Sequence, residues 1–431
     1  MSRITTGELA YHVDERVVLA GWVHHQRHLA RVSFLLLRDR DGIAQVVVDG
    51  VEERSTTQAL VAESVVRVSG IVRRSDQAPG GLEIHESEIE VLSEPASPPP
   101  FELRRAEIPA QLPTLLDHAA LALRHPRRRA IAQVAAASVH GFRSTLDRLG
   151  FTEVHTPKVV ASATEGGANV FPVDWFGRPA FLAQSPQFYK QTMVGVFERV
   201  YEVGPVFRAE PHDTVRHLAE YVSLDAELGF IDDHRDVMVV VREVLAGMVA
   251  AIAERATRAV EVLGLDLPAV PATIPTIGFD DAQAMIAEDT GEDLAGEPDL
   301  APAHERWLGD WARRTHGSDL LFVEGFPMVK RPFYTHPMPG RPDRANGFDL
   351  LFRGVELITG GQRLHQYDDY VVALGDVDLT PYGGYLDAFR HGMPPHGGFA
   401  IGLERWVSRV VGAANVREVS LFPRDRQRLT P

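Results

Sequence analysis

Residues 206–221, VFRAEPHDTVRHLAEY, read as a β-hairpin with charge on both sides of its turn. Val206, Phe207 and Tyr221 are strand-type residues, and the polar stretch around Pro211 supplies the turn. Arg208 and Glu210, two apart, share a strand face, and Arg216 and His217 follow the turn. A basic pair at each end of such a hairpin suits a polyphosphate; the alternative is a charged hairpin facing solvent. Its surroundings set the fold class. PRRRAIAQVAAASVHGFRSTLDRLG, from 126, predicts an amphipathic helix ending at Gly150, followed by FTEVHTP, strand-like FLAQSP and a helix through QFYKQTMVGVF. Downstream come the strand YVSLDAELGF, a long helix over 232–263, short helical pieces in 264–330, the strands of GFDLLFRGVELITGG and FAIGL, and a helix in ERWVSRVVG. Strands and helices mix without βα alternation, which predicts an antiparallel α+β domain.

The first hundred residues differ. RVVLAGWVHHQR, RVSFLLLRDRDGIAQVVVD, SVVRVSGIVRR and LEIHESEIEVL are short Val/Ile-rich runs punctuated by DG, SG and PGG, the pattern of a small barrel. The Pro-rich tract at 93–113 reads as a linker. The length of 431 residues fits two or three domains. Absence of Cys excludes disulfides, thiolate metal sites and a cysteine nucleophile. No apolar run reaches membrane-spanning length and no secretory leader is visible, so the expected location is the cytoplasm. The net charge of −15 argues against a general nucleic-acid coat. Arg nearly balances Asp and Glu in the first 129 residues, which lets that module touch phosphate. Lys158, Lys190 and Lys330 are the only lysines, so a lysine here marks a place where a guanidinium does not fit, or simply an Arg-rich genome.

Three further segments carry chemistry. In GFDLLFRGVELITGGQR (347–363), Asp349 and Glu356 interrupt an apolar strand run, where acids are expensive to bury unless they meet a cation or a donor. GMPPHGGFAIGLERWV (392–407) combines glycines that let backbone approach a ligand with Arg405 just after a strand. GFTEVHTP (150–157) is open to a structural or a functional reading.

GFTEVHTP, FRAE…RHL and GLER resemble motifs 1, 2 and 3 of class II aminoacyl-tRNA synthetases. With TEGG (164–167), QSPQFYKQ (184–191), VELITGGQR and LFPRDRQRLTP, nearly the whole chain is similar to archaeal-type (class IIb) aspartyl-tRNA synthetases. The resemblance implies an OB-fold anticodon-binding barrel over 1–103, a linker over 104–130, and a class II catalytic domain over 131–431 with a helical insertion at 264–330. It also implies ATP and L-aspartate as substrates, Mg²⁺ as cofactor, and a homodimer formed through motif 1 near Pro157. Arg208, Glu356 and Arg405 would be catalytic. Arg208, Glu210, Arg216, His217, Leu218, Tyr221, Glu356, Gly402 and Arg405 would bind ATP, with Tyr221 facing adenine. Glu356, Thr359 (where the family usually has serine) and Asp349 would hold the metal. Glu165, Gln187, Lys190, Arg208, Thr359 and Arg363 would bind aspartate, Lys190 and Arg363 reading its side-chain carboxylate.

In the barrel the resemblance makes Phe34 and Gln45 anticodon readers, one by stacking and one by hydrogen bonding. Relatives restricted to tRNA(Asp) tend to have Trp and Lys at the positions of His24 and Pro79. The present residues therefore resemble the relaxed form that charges tRNA(Asp) and tRNA(Asn), the latter product being passed to an amidotransferase. The alternatives are a strict aspartyl enzyme, a paralogue making a small aspartyl product, and a non-catalytic RNA-binding protein.

Overall fold

The computed structural model describes residues 2–161, 169–211 and 213–431. It divides into two compact units, Met1–His125 and Pro126–Pro431. The first is built on five strands, β1 (Arg16–His28), β2 (Ser33–Arg38), β3 (Ile43–Val48), β4 (Val65–Arg74) and β5 (Leu82–Ser93), closed as β1-β2-β3-β5-β4. Alternation along each strand sends Leu19, Leu35, Leu37, Val46, Val66, Val68 and Ile84 inward, which is why these runs form a barrel. A bulge interrupts β1 against β2 at His24. Helix α1 (Val51–Ala59) joins β3 to β4; it buries only Thr57, so no apolar stripe betrays it in the sequence.

The stretch expected as a linker is partly ordered. It contains α2 (Leu112–Asp117) and α3 (Ala119–Ala122), and Leu115 and Ala122 pack with Phe101 and Leu103. The second unit opens with α4 (Pro126–Arg148), so the break falls at 125/126.

An eight-stranded sheet organises that unit in the order β12-β13-β16-β17-β18-β11-β10-β6. Its members are β6 (Thr152–Glu153), β10 (Arg199–Phe207), β11 (Glu220–Gly229), β12 (Thr276–Gly278), β13 (Leu320–Glu324), β16 (Gly347–Phe352), β17 (Glu356–Arg363) and β18 (His396–Gly402). Pairing is antiparallel except at the two ends, β12 with β13 and β6 with β10. Small sheets join β7 (Val159–Val160), β8 (Pro172–Trp175) and β9 (Arg178–Leu182), and β14 (Pro337–Met338) with β15 (Arg341–Ala345). The α+β arrangement with a leading barrel is the one the sequence predicts.

Helices α4 and α6 (His234–Arg255) cover the sheet with Phe142, Leu146, Val241, Leu245 and Met248. The helix expected over 232–263 is two helices. It breaks at Ala256, where φ is −122°, and resumes as α7 (Thr257–Leu263). The 264–330 segment supplies α8 (Phe279–Thr290) and α9 (Pro302–His316), yet it is not wholly helical, because β12 and β13 extend the main sheet. Helix α5 (Gln187–Phe197) lies beside β10 and β11, α10 (Tyr367–Leu374) and α11 (Gly383–Arg390) share an aromatic cluster with it, and α12 (Leu403–Val411) continues from β18. Among the described residues no helix is long and apolar enough to cross a membrane.

Candidate active site

A cavity of about 430 Å³ opens over β11, β17 and β18. It gathers Gln187, Lys190, Arg208, Glu210, Arg216, His217, Leu218, Tyr221, Glu356, Thr359, Arg363, Gly402 and Arg405 from segments far apart in the chain. Glu165 lies outside the described residues. One end of the cavity is the β10–β11 hairpin loop. Strand β10 ends at Phe207, so Arg208 and Glu210 follow the strand instead of lying on it, although Arg208 N still donates to Ala219 O at 2.9 Å. The Arg208 guanidinium stands 5.7 Å from the Tyr221 ring centroid and 3.9 Å from Glu210. His217 Nε2 is 3.5 Å from the same Glu210 carboxylate. Arg405, in the first turn of α12, donates to the Glu356 carbonyl at 3.0 Å.

Two sets of contacts, one on each side, hold this loop in place, and the sequence pattern announces neither. Arg216 donates to both oxygens of Glu305 at 3.4 and 3.3 Å, and Glu305 also accepts the Glu356 N–H at 2.9 Å. Glu305 is 6 % exposed on α9, a lone acid whose sequence context gives no hint of a partner 89 residues away. On the other side, Arg417 donates to Asp213 at 2.6 Å and to the Thr214 carbonyl at 3.0 Å, and pairs with Asp425. Gln427 donates to Asp213 at 2.7 Å and Arg426 to the Pro211 carbonyl at 2.8 Å. The C-terminal segment thus braces the loop.

The opposite end is a buried charge cluster. Lys190 Nζ donates to Asp225 at 3.0 Å and to the Phe399 carbonyl at 3.2 Å, with Glu227 Oε2 at 3.3 Å. Arg363 donates through Nε to Glu227 at 3.0 Å and through Nη2 to the Gly398 carbonyl at 3.0 Å. Asp225 and Glu227, two apart on β11, face this pair, and Ser223 donates to Asp225 at 2.5 Å. Burial alone would raise Glu227; Arg363 and Lys190 beside it hold its carboxyl below the usual range. Gly398 is obligatory here, since a Cβ would lie 2.0 Å from a Glu227 oxygen and 2.2 Å from the Ala226 carbonyl. Behind the cluster, Gln191 donates to Tyr370 OH at 3.1 Å and contacts His396 Nε2 at 2.9 Å. Gln187 donates to Gln191 at 3.0 Å, so the expected α-amino contact belongs to a fixed network.

The expected metal ligands are only partly available. Thr359 donates to Glu356 at 3.2 Å and both line the cavity, giving hard oxygen donors of the kind Mg²⁺ prefers. Asp349 pairs with Thr359 across β16 and β17 but does not line the cavity. Arg331 holds both its oxygens at 3.2 and 3.0 Å. Burial pushes the Asp349 carboxyl up to about 6 against the pull of Arg331, with Glu356 adding to the rise. Among the described residues no group of three His, Asp or Glu side chains could hold a metal. Phosphate oxygens and water would have to complete the shell around Glu356 and Thr359.

In the barrel, Phe34 on β2 and Gln45 on β3 are half-buried on the outward face, two pairs apart in register. Gln45 donates to Glu83 at 2.8 Å. Pro79 is exposed in the turn before β5. His24 is not: it is 8 % exposed and hydrogen-bonded to Arg38 at 3.1 Å, which in turn donates to Glu63 at 2.8 Å. Burial, then the Arg38 charge, depress the His24 pKa to about 4.

Residues 111–426 match the family of class II tRNA synthetases (D, K and N), and residues 17–92 match the OB-fold nucleic acid binding domain. The chain is 46 % identical to an aspartate–tRNA(Asp/Asn) ligase of Thermus thermophilus, with full coverage of both chains. A ligase of the same description from Methanopyrus kandleri is 43 % identical over 97 % of this chain and 96 % of its own. An aspartate–tRNA(Asp) ligase of Thermococcus kodakarensis is 38 % identical over 97 % of this chain and 96 % of its own. Among solved structures, asparaginyl-tRNA synthetase from Pyrococcus horikoshii complexed with asparaginyl-adenylate superposes with a TM-score of 0.93 at 32 % identity, covering both chains fully.

Proposed function

The chain belongs to the class II tRNA synthetases, and from that premise we propose that it activates L-aspartate with ATP and transfers it to tRNA(Asp) and tRNA(Asn). One observation carries the choice of amino acid: the buried Lys190–Arg363 pair closes the end of the cavity opposite the arginines of the hairpin and α12. A side-chain carboxylate needs such cations, and Arg363 keeps Nη1 free of protein hydrogen bonds among the described residues. An amide would not need them.

The aspartate α-carboxylate oxygen attacks the α-phosphorus of ATP. The bond from that phosphorus to the bridging oxygen breaks, and the oxygen leaves with pyrophosphate. Arg208 meets the charge at the α-phosphate, while Arg216, His217 and Arg405 hold the far phosphates and Tyr221 stacks on adenine. The 3′-hydroxyl of the terminal tRNA ribose then attacks the aspartyl carbonyl, AMP leaves, and no covalent protein intermediate forms. Bound at Glu356 and Thr359, Mg²⁺ would offset phosphate charge; Asp349 is less suited because Arg331 holds it. By resemblance, Glu165 would be a partner of the α-amino group.

The enzyme works in the cytoplasm as a homodimer through 150–157, where β6 is the edge strand and Pro157 is exposed. Acceptance of both tRNAs is supported by Pro79 and by likeness to relatives described as Asp/Asn ligases. The misacylated product then needs an amidotransferase. The test is charging of tRNA(Asp) and tRNA(Asn) transcripts with radiolabelled aspartate and asparagine. Aspartate on both tRNAs, and no asparagine on either, is expected. Charging of tRNA(Asp) alone would establish the narrower enzyme, and absence of charging with intact ATP binding would point to the paralogue.

A further inference from the structure

A second cavity of about 230 Å³ adjoins the first and shares Arg216, Arg405 and Val416 with it. Arg306 on α9, Arg353 in the β16–β17 turn and Arg409 on α12 also line it, and no Asp or Glu does. Five guanidiniums around so small a volume repel one another unless an anion joins them. Protein carboxylates answer only some of that charge. Glu305 serves Arg216, Asp319 serves Arg353 at 2.9 Å, and Glu356 stands 3.7 Å from Arg405. Arg409 donates to the Ala413 carbonyl at 3.1 Å and has no carboxylate partner among the described residues. Arg306 has neither an ion pair nor a hydrogen bond among them. Burial, then the charges of Arg216 and Arg353, make protonation of Arg409 harder.

The cavity is built stiffly. Arg353 adopts φ of 49° and Gly354 φ of 72°, a left-handed pair unfavourable for a residue with a side chain. Hydrogen bonds from Arg353 to Asp319, to the Arg409 carbonyl (3.0 Å) and to the Asp266 carbonyl (3.1 Å) hold it there. That conformation places a guanidinium where the hairpin turn meets α9 and α12.

We propose that this basic cavity is a phosphate-anion subsite that receives pyrophosphate as it leaves the active cavity. The inference rests on the reading that ATP is cleaved next door. Arg216 and Arg405, common to both cavities, keep hold of the departing anion while Arg306, Arg353 and Arg409 supply its new partners. Because the reaction is reversible, the same residues admit pyrophosphate in the backward direction.

The test uses the full-length enzyme and variants Arg306→Ala, Arg306→Glu and Arg409→Gln, none of which alters an expected ATP contact. In aspartate-dependent ATP–pyrophosphate exchange, KM for pyrophosphate should rise about three- to tenfold, more for Arg306→Glu, with KM for ATP unchanged. Calorimetric titration with inorganic pyrophosphate should weaken in parallel. Arg306 is exposed, so its variants fold even if Arg409→Gln does not. An unchanged KM for pyrophosphate, or a change confined to KM for tRNA, overturns the proposal, the latter assigning the cavity to a backbone phosphate of the nucleic acid. Absence of exchange in the unmodified enzyme would instead fail the aspartyl-adenylate reading, while the titration still decides the subsite.

Discussion

Glu305 ties the hairpin loop to β17: it accepts the backbone N–H of Glu356 at 2.9 Å and clamps Arg216 with both oxygens. Replacing it with Ala frees Arg216 and leaves a backbone donor unpaired. The expected loss is about tenfold in kcat/KM for ATP, or about 1.4 kcal/mol. Glu305→Gln keeps the acceptor and should lose less. Pyrophosphate exchange at varied ATP measures both, and equal activity in all three proteins would remove Glu305 from this role.

Lys190→Met strips a cation from two buried carboxylates, Asp225 and Glu227. Unfolding by denaturant should show a loss of about 3–5 kcal/mol, because an uncompensated buried charge is costly. Adding Glu227→Gln should restore part of that stability and none of the aspartate activity. If the double variant is less stable than the single, the carboxylate is not the source of the loss.

His396 has no exposed surface, and burial, with Glu227 partly opposing, depresses its pKa to about 4. Between pH 6.5 and 4 the unfolded chain binds this proton and the native protein does not. The neutral ring therefore contributes its stability fully above pH 6.5, and that contribution, about 3 kcal/mol, is lost as pH falls towards 4. Stability against pH should be flatter over that window in His396→Gln. Identical slopes would contradict the assignment.

Pro79→Lys changes an exposed turn and should fold normally, lowering kcat/KM for tRNA(Asn) more than for tRNA(Asp). His24→Trp must fit an indole into a buried bulge against Arg38. Overpacking of that kind costs about 1–3 kcal/mol, so a lower melting temperature is expected with it. The two substitutions, equivalent by family resemblance, are thus separable in the calorimeter.

Phe34→Ala should raise KM for tRNA about tenfold, since stacking on one base contributes about 1–3 kcal/mol. Pyrophosphate exchange without tRNA should be unaffected. A fall in exchange would mean that the barrel residue acts on the fold and not on RNA.

Much of this was readable from local pattern. Period-two alternation marks the barrel strands, Gly150 and Gly412 end their helices at positive φ, and the hairpin charges do meet at one cavity, though from the loop beyond Phe207 and not from a shared strand face. What escaped depends on partners distant in the chain. Nothing near Glu305 in PAHERWLG announces Arg216, and nothing near Asp349 announces Arg331. The acids of YVSLDAELG, Asp225 and Glu227, went unread in what passes for an ordinary strand, and only the tertiary fold sets Lys190 and Arg363 opposite them. The break at Ala256 was hidden because an apolar stripe continues through it, and the burial of His24 because a bulge shifts the alternation by one residue.

The tie from Arg417 to Asp213 spans 204 residues. A nascent chain translated as far as α12 already holds every strand of the main sheet and both ends of the cavity. Its hairpin loop nevertheless has nothing to grip on the side where Arg417, Asp425 and Gln427 will later stand. On the proposed reading of that loop, a chain stopped before Arg417 should keep its folded sheet yet bind ATP more weakly than the full chain.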